Sequence, residues 1–463
     1  MAADPVALRA ELVEELREAL VAGLLERWYP SAVDEEFGGF YSELSLDFQP
    51  GPDQRKPLVV QARHLWATSR ASQFLPDDPR YPRIARHAFR YLHDVMWDRE
   101  HGGFLPRVYA RSRDGAWPPT NTQRVRSGLR RLVPSSAIRR RIAPIVRRRA
   151  APAPPLVKDV YDEAFAIFGL AAYHQASGDP AALDLARASF GWLEDHSYDA
   201  DHGGYRRYLS RDGSPLPAGP LGEAPKDLDS TLHLLEAFTE LYRAWPDERV
   251  RLRLGELVAL ICDRMTSERG SCWIRFEPDW TPLRLTEADR RAGDFARDHV
   301  SFGHDIETAS LLVDAAEVLG RANDPTIHAI AKRLADHSLD HGWDAARGGM
   351  FEAGYYFSEG GPCEVVDRSK LYWVQAETLH TLSLLAHRYP EDPRGYLHRF
   401  VEQWRYCDRY LVDHDRGGWY WQGLDALPGP QQPGKAPPVR ATYHVSRALM
   451  NSISRLEAAE GPG

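Results

Sequence analysis

Apolar residues recur at three- and four-residue spacing in helix-length stretches along most of the chain, divided by polar loops of two kinds. That period is the signature of helices with one buried face. In the short loops Asp78-Pro79, Asp179-Pro180, Asp324-Pro325 and Asp392-Pro393 mark helix-to-helix turns, with Pro placed to open the next helix. The long loops carry a different motif. Asp34 to Phe40 has the form D-x-x-x-G-G-aromatic, and it returns at Asp98 to Phe104, Asp199 to Tyr205 and, with similar endings, Asp344 to Met350 and Asp413 to Trp419. Glu268 to Trp273 is a degraded sixth copy. Paired glycines suit a tight hairpin turn, because Gly accepts positive φ without steric cost.

Each copy follows one amphipathic stretch, as at Arg83 to Trp97, Leu183 to His196, Val250 to Met265 and Tyr396 to Leu411. Each precedes another: Leu58 to Phe74, Tyr161 to Gln175, Ser230 to Trp245, His304 to Leu319, Leu371 to His387 and Tyr443 to Leu456. With Val6 to Tyr29 and a stretch from near Thr326, this predicts twelve helices in six hairpins. The expected fold is all-α: an (α/α)6 barrel, with short β-hairpins in the loops at one mouth, and a solenoid as the alternative. The first glycines of the motif, at 38, 102, 203, 270, 348 and 417, are 64, 101, 67, 78 and 69 residues apart. The over-long second interval holds an Arg/Pro-rich stretch, read as an insertion at about 107–158 in one domain spanning 1–463. It is either a solvated excursion or a lid or dock for an anionic group.

In a barrel the helices after the glycine hairpins form the inner ring, and their first turns converge. Those turns carry Gln61, Arg63 and His64; Tyr161, Asp162 and Glu163; Asp229 and His233; His304 and Glu307; Trp373, Gln375 and Glu377; and Tyr443, His444 and Arg447. Beyond them the helices turn to Leu, Ala, Val and Phe, so the pattern is a polar funnel over a packed core. At its centre is Asp298 to Glu307, where Gly303 marks the passage from loop to helix and His304 and Glu307 share a helical face. The plain structural reading of that pair is a helix-start histidine held by a carboxylate.

Composition narrows the chemistry. The chain has 463 residues, 43% of them apolar, and a net charge of −8, although thirteen Arg face one acidic residue between Arg107 and Arg149. An acidic body with one basic excursion is not a nucleic-acid-binding surface. No apolar run is long enough for a bilayer, and no basic-then-apolar leader opens the chain, so no membrane partner is expected. Cys262, Cys272, Cys363 and Cys407 form no CxxC pair or disulfide framework, which predicts a reducing, cytoplasmic location. The helix starts lack an H-x-x-x-H pair, phosphate loop and nucleophile elbow, so no metal and no cofactor is expected. What remains is histidines, carboxylates, an arginine and aromatic platforms such as Trp373, with Trp66, Trp419 and Trp421 as further candidates. That set suits a sugar, and two histidines can exchange a proton with opposite faces of a planar intermediate.

Gln61 to Arg63, Tyr161 to Phe165, His233 to Glu236, Ser301 to Glu307, Trp373 to Glu377 and Tyr443-His444, in this order, resemble the N-acylglucosamine 2-epimerase superfamily. His304 to Glu307 most resembles its cellobiose 2-epimerase branch. The resemblance covers nearly the whole chain outside about 106–158. It implies an (α/α)6 barrel that inverts C2 of a reducing-end aldose through a cis-enediol, without metal or cofactor, acting as monomer or dimer on a mono- or disaccharide with a free reducing end. It implies His304 and His444 as the acid/base pair, His233 assisting ring opening and proton transfer at O1 and O5, and Arg63 as the cation beside the enediolate. By the same resemblance Glu307 would orient His304, while Trp373, Glu377, Asp229, Tyr161 and Gln61 would hold the sugar. Ser310 and Val439 stand where disaccharide epimerases tend to carry Trp, and Asp229 where the family often has Asn. An aldose–ketose isomerase of the mannose isomerase kind shares the enediol, and a glycoside hydrolase on the same barrel would rely on carboxyl groups instead.

Overall fold

The computed structural model describes residues 5–52, 55–109, 156–286, 289, 295, 298–358, 360–437 and 440–458. Two of the four Asp-Pro turns act as expected: Asp179 accepts from the Ala181 N–H at 3.0 Å, and Asp324 from Thr326 and Ile327 at 3.0 and 3.3 Å, each capping a helix with Pro in its first turn; Pro79 instead stands just before a helix that starts at Arg80, and Pro393 lies ahead of one that starts at Tyr396 after Gly395. Twelve helical rods stand among the described residues. The outer set is α1 (Pro5–Glu18, continuing through Ala19–Leu25 and Glu26–Ala32), α3 (Arg80–Tyr91), α5 (Pro180–His196), α7 (Glu248–Leu260), α9 (Pro325–Gly342) and α11 (Tyr396–Tyr410). The inner set is α2 (Leu58–Phe74), α4 (Val160–Ser177), α6 (Leu228–Ala244), α8 (Phe302–Val318), α10 (Tyr372–Arg388) and α12 (Tyr443–Ala458).

Neighbouring inner helices pack in sequence order, α2 on α4, α4 on α6 and so on to α12, and α12 packs back on α2. That last contact closes the ring, which makes the fold an (α/α)6 barrel and excludes the solenoid. Each inner helix also leans on an outer partner, α1 serving α12. The strands are short antiparallel pairs in the loops: Arg55–Pro57 with Arg107–Tyr109, Val157–Asp159 with Tyr208–Ser210, Lys226–Asp227 with Arg275–Phe276, and a three-stranded set of Val300–Ser301, Ala353–Tyr356 and Cys363–Asp367. The proposed insertion begins and ends on two of these strands, and its interior, residues 110–155, lies outside the described residues.

All six glycine motifs close as hairpins, from the Val33–Phe40 bridge to Val412–Trp419. Gly38 and Gly39 take φ of +79° and +67°, and a Cβ on Gly39 would lie 2.5 Å from Gln61 Oε1. Gln61 is therefore no sugar ligand. Its Oε1 accepts from the Phe40 N–H at 2.7 Å and its Nε2 donates to the Phe40 carbonyl at 3.1 Å, locking the hairpin to the helix it precedes. Gln375 makes the same pair of bonds to Met350, and Glu163 and Asp305 accept from the backbone N–H groups of Phe104 and Cys272.

A second anchor has no counterpart in the sequence reading. The first Asp of five hairpins pairs with a buried lysine just ahead of the next inner helix: Lys56 with Asp34 at 2.5 Å, Lys158 with Asp98 at 3.4 Å, Lys226 with Asp199 at 2.9 Å, Lys370 with Asp344 at 2.8 Å and Lys435 with Asp413 at 2.7 Å. Nζ of Lys56, Lys226 and Lys370 also donates to the carbonyl of the first glycine. These five are all but one of the chain's lysines. The degraded hairpin has lost both partners together, with Ser267 in place of the Asp and Val300 in place of the Lys, as expected when either charge alone would be buried without a counter-ion.

Candidate active site

The first turns of the inner helices meet. His304, early in α8, points Nδ1 at Ser301 Oγ (2.8 Å), while its Nε2 is 3.6 Å from Asp229 Oδ1 of α6. The same Asp229 oxygen is 3.7 Å from His233 Nε2, and His233 Nδ1 is 3.1 Å from Glu236. The Trp373 ring of α10 lies 4.9 Å from the His304 ring and 5.8 Å from that of His444. A Cβ at Gly303 would fall 2.5 Å from the Trp373 indole, so glycine is what lets this ring pack over the helix start. On α12, His444 Nδ1 is 2.6 Å from Glu377 Oε1. Arg63 donates to Tyr161 Oη at 2.7 Å, with its guanidinium 4.2 Å from the centre of the Phe165 ring.

Two roles expected from the resemblance are corrected here. Glu307 does not orient His304: its Oε1 takes Nη2 of Arg447 at 2.6 Å, and Ser301 and Asp229 hold the histidine instead. Glu377 does not face a sugar: it is fully buried, bound to His444 and to Arg447 Nη2 at 2.6 Å. The reason is Arg447, whose Nη1 also contacts Glu236, so that one buried guanidinium gathers three carboxylates beneath the site. Glu307, Glu377 and His444 offer donor atoms within 4.8 Å of one another, a spacing a cation could use. Arg447 already supplies positive charge there.

These surroundings set the two histidines apart. Burial lowers the pKa of His304, but the Asp229 carboxylate, helped by Glu307 and Glu352, outweighs it and raises the value to about 9. For His444 burial dominates, and with Arg63 and Arg447 it overrides Glu377 and holds the pKa at about 3. At neutral pH His304 is charged and His444 neutral. Glu377 stays ionised, since Arg447, His380 and His444 together outweigh its burial, so neutral His444 donates Nδ1–H to it, which leaves Nε2 as the ring nitrogen carrying the lone pair.

Above these groups lie two adjoining cavities that share Arg207, Tyr208 and Glu223. One, of about 190 Å³, is lined by Asp229, His299 and His304; the other, of about 470 Å³, by Tyr161, Asp159 and Asp162. Arg207 bridges Asp159 (3.1 Å), Asp227 and Asp229 (3.5 Å) and was not anticipated, because it sits in a hairpin loop with no periodic pattern to mark it. Glu352, whose burial raises its pKa to about 7 near His304, was missed for the same reason. Glu236 was legible, since it sits one turn after His233 on the same face. Other candidates fall away from the site. Trp66 stacks on Phe168 deeper in the ring, and Trp419 is the buried closing residue of its own hairpin. Ser310 is fully buried, its hydroxyl on the Glu307 carbonyl, so it is not a pocket wall; Val439 is outside the described residues.

The profile of the N-acylglucosamine 2-epimerase (GlcNAc 2-epimerase) family matches residues 149–448. The chain is 30% identical to the cellobiose 2-epimerase of Bacteroides fragilis over 89% of this chain and 90% of that one. It is 25% identical to the D-mannose isomerase of Thermobifida fusca, over 85% and 84% of the two chains. Among solved structures, the cellobiose 2-epimerase of Spirochaeta thermophila superposes with a TM-score of 0.76 at 29% identity, covering 98% of both chains. Closed ring, paired histidines and sequence agree: the chain belongs to the N-acylglucosamine 2-epimerase family and is a carbohydrate epimerase.

Proposed function

We propose that the chain, one catalytic domain with an inserted segment, inverts C2 of a reducing-end aldose through a cis-enediol, with His444 and His304 as the proton-transfer pair. The observation that carries this is the placement of two imidazoles against one indole, with His304 and His444 rings 4.9 and 5.8 Å from that of Trp373, each beside its own carboxylate, Asp229 at 3.6 Å and Glu377 at 2.6 Å; burial and neighbouring charges push their pKa values in opposite directions. Neutral His444 takes the C2 proton through Nε2, and the C–H electrons form the C1=C2 bond as the carbonyl oxygen gains charge. Arg63 offsets that charge, a preorganised cation where charge develops, and His233 serves ring opening and proton movement at O1 and O5. Protonated His304 then delivers its proton to the other face of C2 as the electrons of the enediolate oxygen re-form the C1=O1 carbonyl. Glu377 stabilises the imidazolium that His444 becomes. Neither transfer calls on a metal or an organic cofactor.

Trp373, Asp229 and Tyr161 are assigned to sugar contact, with the larger adjoining cavity able to take a second unit of a disaccharide. The free cysteines support a reducing, cytoplasmic setting. An aldose–ketose isomerase remains the second reading, favoured by the mannose isomerase relative, since the same enediol reprotonated at C1 gives a ketose. The hydrolase reading is disfavoured because Glu307 and Glu377 are both bound to Arg447 and neither is free to protonate a glycosidic oxygen. A product screen over reducing mono- and disaccharides tests the assignment. C2 epimers are expected, ketose alone would favour isomerisation, and cleavage of a disaccharide would contradict both.

A further inference from the structure

The smaller cavity beside His304 holds a second imidazole that the proton-transfer scheme does not use. His299 stands just ahead of the Val300–Ser301 strand and lines the space of about 190 Å³ together with His304, Asp229, Arg207 and Arg275. The Phe295 carbonyl lies 3.1 Å from the His299 backbone N–H and 3.2 Å from its Nδ1. A carbonyl can only accept, so Nδ1 carries the proton and Nε2 is left with the lone pair. That carbonyl is itself held in place, since the Phe295 ring packs 4.8 Å from Tyr355 and 5.7 Å from Phe357. Burial, with the charges of His304 and Arg275, lowers the pKa of His299 to about 4, so the ring stays neutral at pH 7. Its Nε2 has no partner among the described residues and remains accessible to solvent.

The carboxylates on the same wall are engaged. Asp229 turns one oxygen to His304 and His233 and the other to Arg207, Asp227 takes Ser230 and Arg207, and Glu223 accepts from the Leu221 N–H at 2.8 Å. The wall's charges also cancel, because Arg207, Arg275 and protonated His304 face Glu223, Asp227 and Asp229. A neutral lone pair in a cavity of balanced charge suits an uncharged hydroxyl. We propose that His299 is a specificity-determining residue of this site, its Nε2 accepting a hydrogen bond from a hydroxyl of the aldose whose C2 lies against His304. The assignment rests on the proposed role of His304. In that scheme the reacting oxygens belong to Arg63 and His233, so the hydroxyl is one at C3, C4 or C6. A contact with a group that does not react is made equally in substrate and transition state, and it acts on binding rather than on kcat.

D-mannose is the probe, an aldose that C2 epimerisation and aldose–ketose isomerisation would both consume. Calorimetric titration compares wild type with His299→Phe, which has no acceptor, and His299→Gln, whose Oε1 can accept. Affinity should fall about tenfold in His299→Phe and largely return in His299→Gln. The 3-, 4- and 6-deoxy forms of D-mannose identify the hydroxyl: one of them should bind wild type about tenfold more weakly than the parent sugar and lose nothing further in His299→Phe. Unchanged affinity in His299→Phe, an equal further loss for all the analogues, or no saturable binding by wild type would overturn the proposal. Wild type that binds every analogue as tightly as D-mannose would overturn it too, and that arm needs no variant should His299→Phe fail to fold. Binding that follows His299 without any exchange at C2 in D2O would leave the contact standing and count against the proton-transfer pair, so the two readings fail separately.

Discussion

Asp229 Oδ1 stands 3.6 Å from His304 Nε2 across the gap between α6 and α8, and this carboxylate is the largest of the influences that raise the imidazole's pKa, ahead of Glu307 and Glu352. The account requires a protonated His304, so turnover should fall as pH rises through about 9. Asp229→Asn removes the group that raises the pKa and should bring the alkaline limb to lower pH. A kcat profile measured from pH 5 to 10 checks this; an unmoved limb counts against His304 as the acid. The pair also links stability to pH. A raised folded-state pKa gives stabilisation that is whole below the ordinary value of 6.5 and is lost as pH climbs through about 9.

Glu377→Gln should separate orientation from sugar binding. The Gln can still accept from His444 Nδ1 but lacks the charge that stabilises an imidazolium, so kcat should drop about 10²-fold or more with KM little changed. A rise in KM at constant kcat would restore Glu377 to the sugar.

Gln61→Leu strands the Phe40 N–H and carbonyl inside the barrel. A loss of about 1–3 kcal/mol per stranded group is expected in denaturant unfolding, with KM unaffected in the protein that remains folded. A KM effect without loss of stability would reverse the correction made for this residue.

The buried lysines give a chemical test of the repeat. Lys332 is 27% exposed and the other five are 2% or less, so an amine-acylating reagent should modify Lys332 alone among the lysines of the native protein and all six after denaturation. Peptide mapping that finds Lys56 or Lys370 acylated in the native state would contradict the anchors. Lys370→Met should cost about 3–5 kcal/mol, since it leaves Asp344 and Asp425 without their cation.

Helix count, ring order and the meeting of six helix starts could be read from the sequence because a repeat writes them six times, and the glycine pairs gave the hairpins for the same reason. Ring closure was not written anywhere; it lives in the contact between α12 and α2. The histidines were legible as candidates, but their partners were misassigned. Spacing along one helix offered Glu307 to His304, whereas the structure gives His304 to Asp229 of the preceding inner helix and Glu307 to Arg447 two inner helices on. Side chains that meet across a ring leave no local pattern. The lysine anchors did leave one, since in four hairpins the lysine stands two residues before the inner helix, but it becomes visible only when the copies are set beside one another.

Hydrogen exchange at C2 tests the central claim most directly. With a reducing aldose in D2O, the epimer formed should carry deuterium at C2, and His304→Ala and His444→Ala should each slow its formation by about 10²–10⁴, the double variant losing less than the product of the two because both serve one proton-transfer sequence. Product that forms without label at C2, or label that persists at the wild-type rate in either variant, would contradict the account.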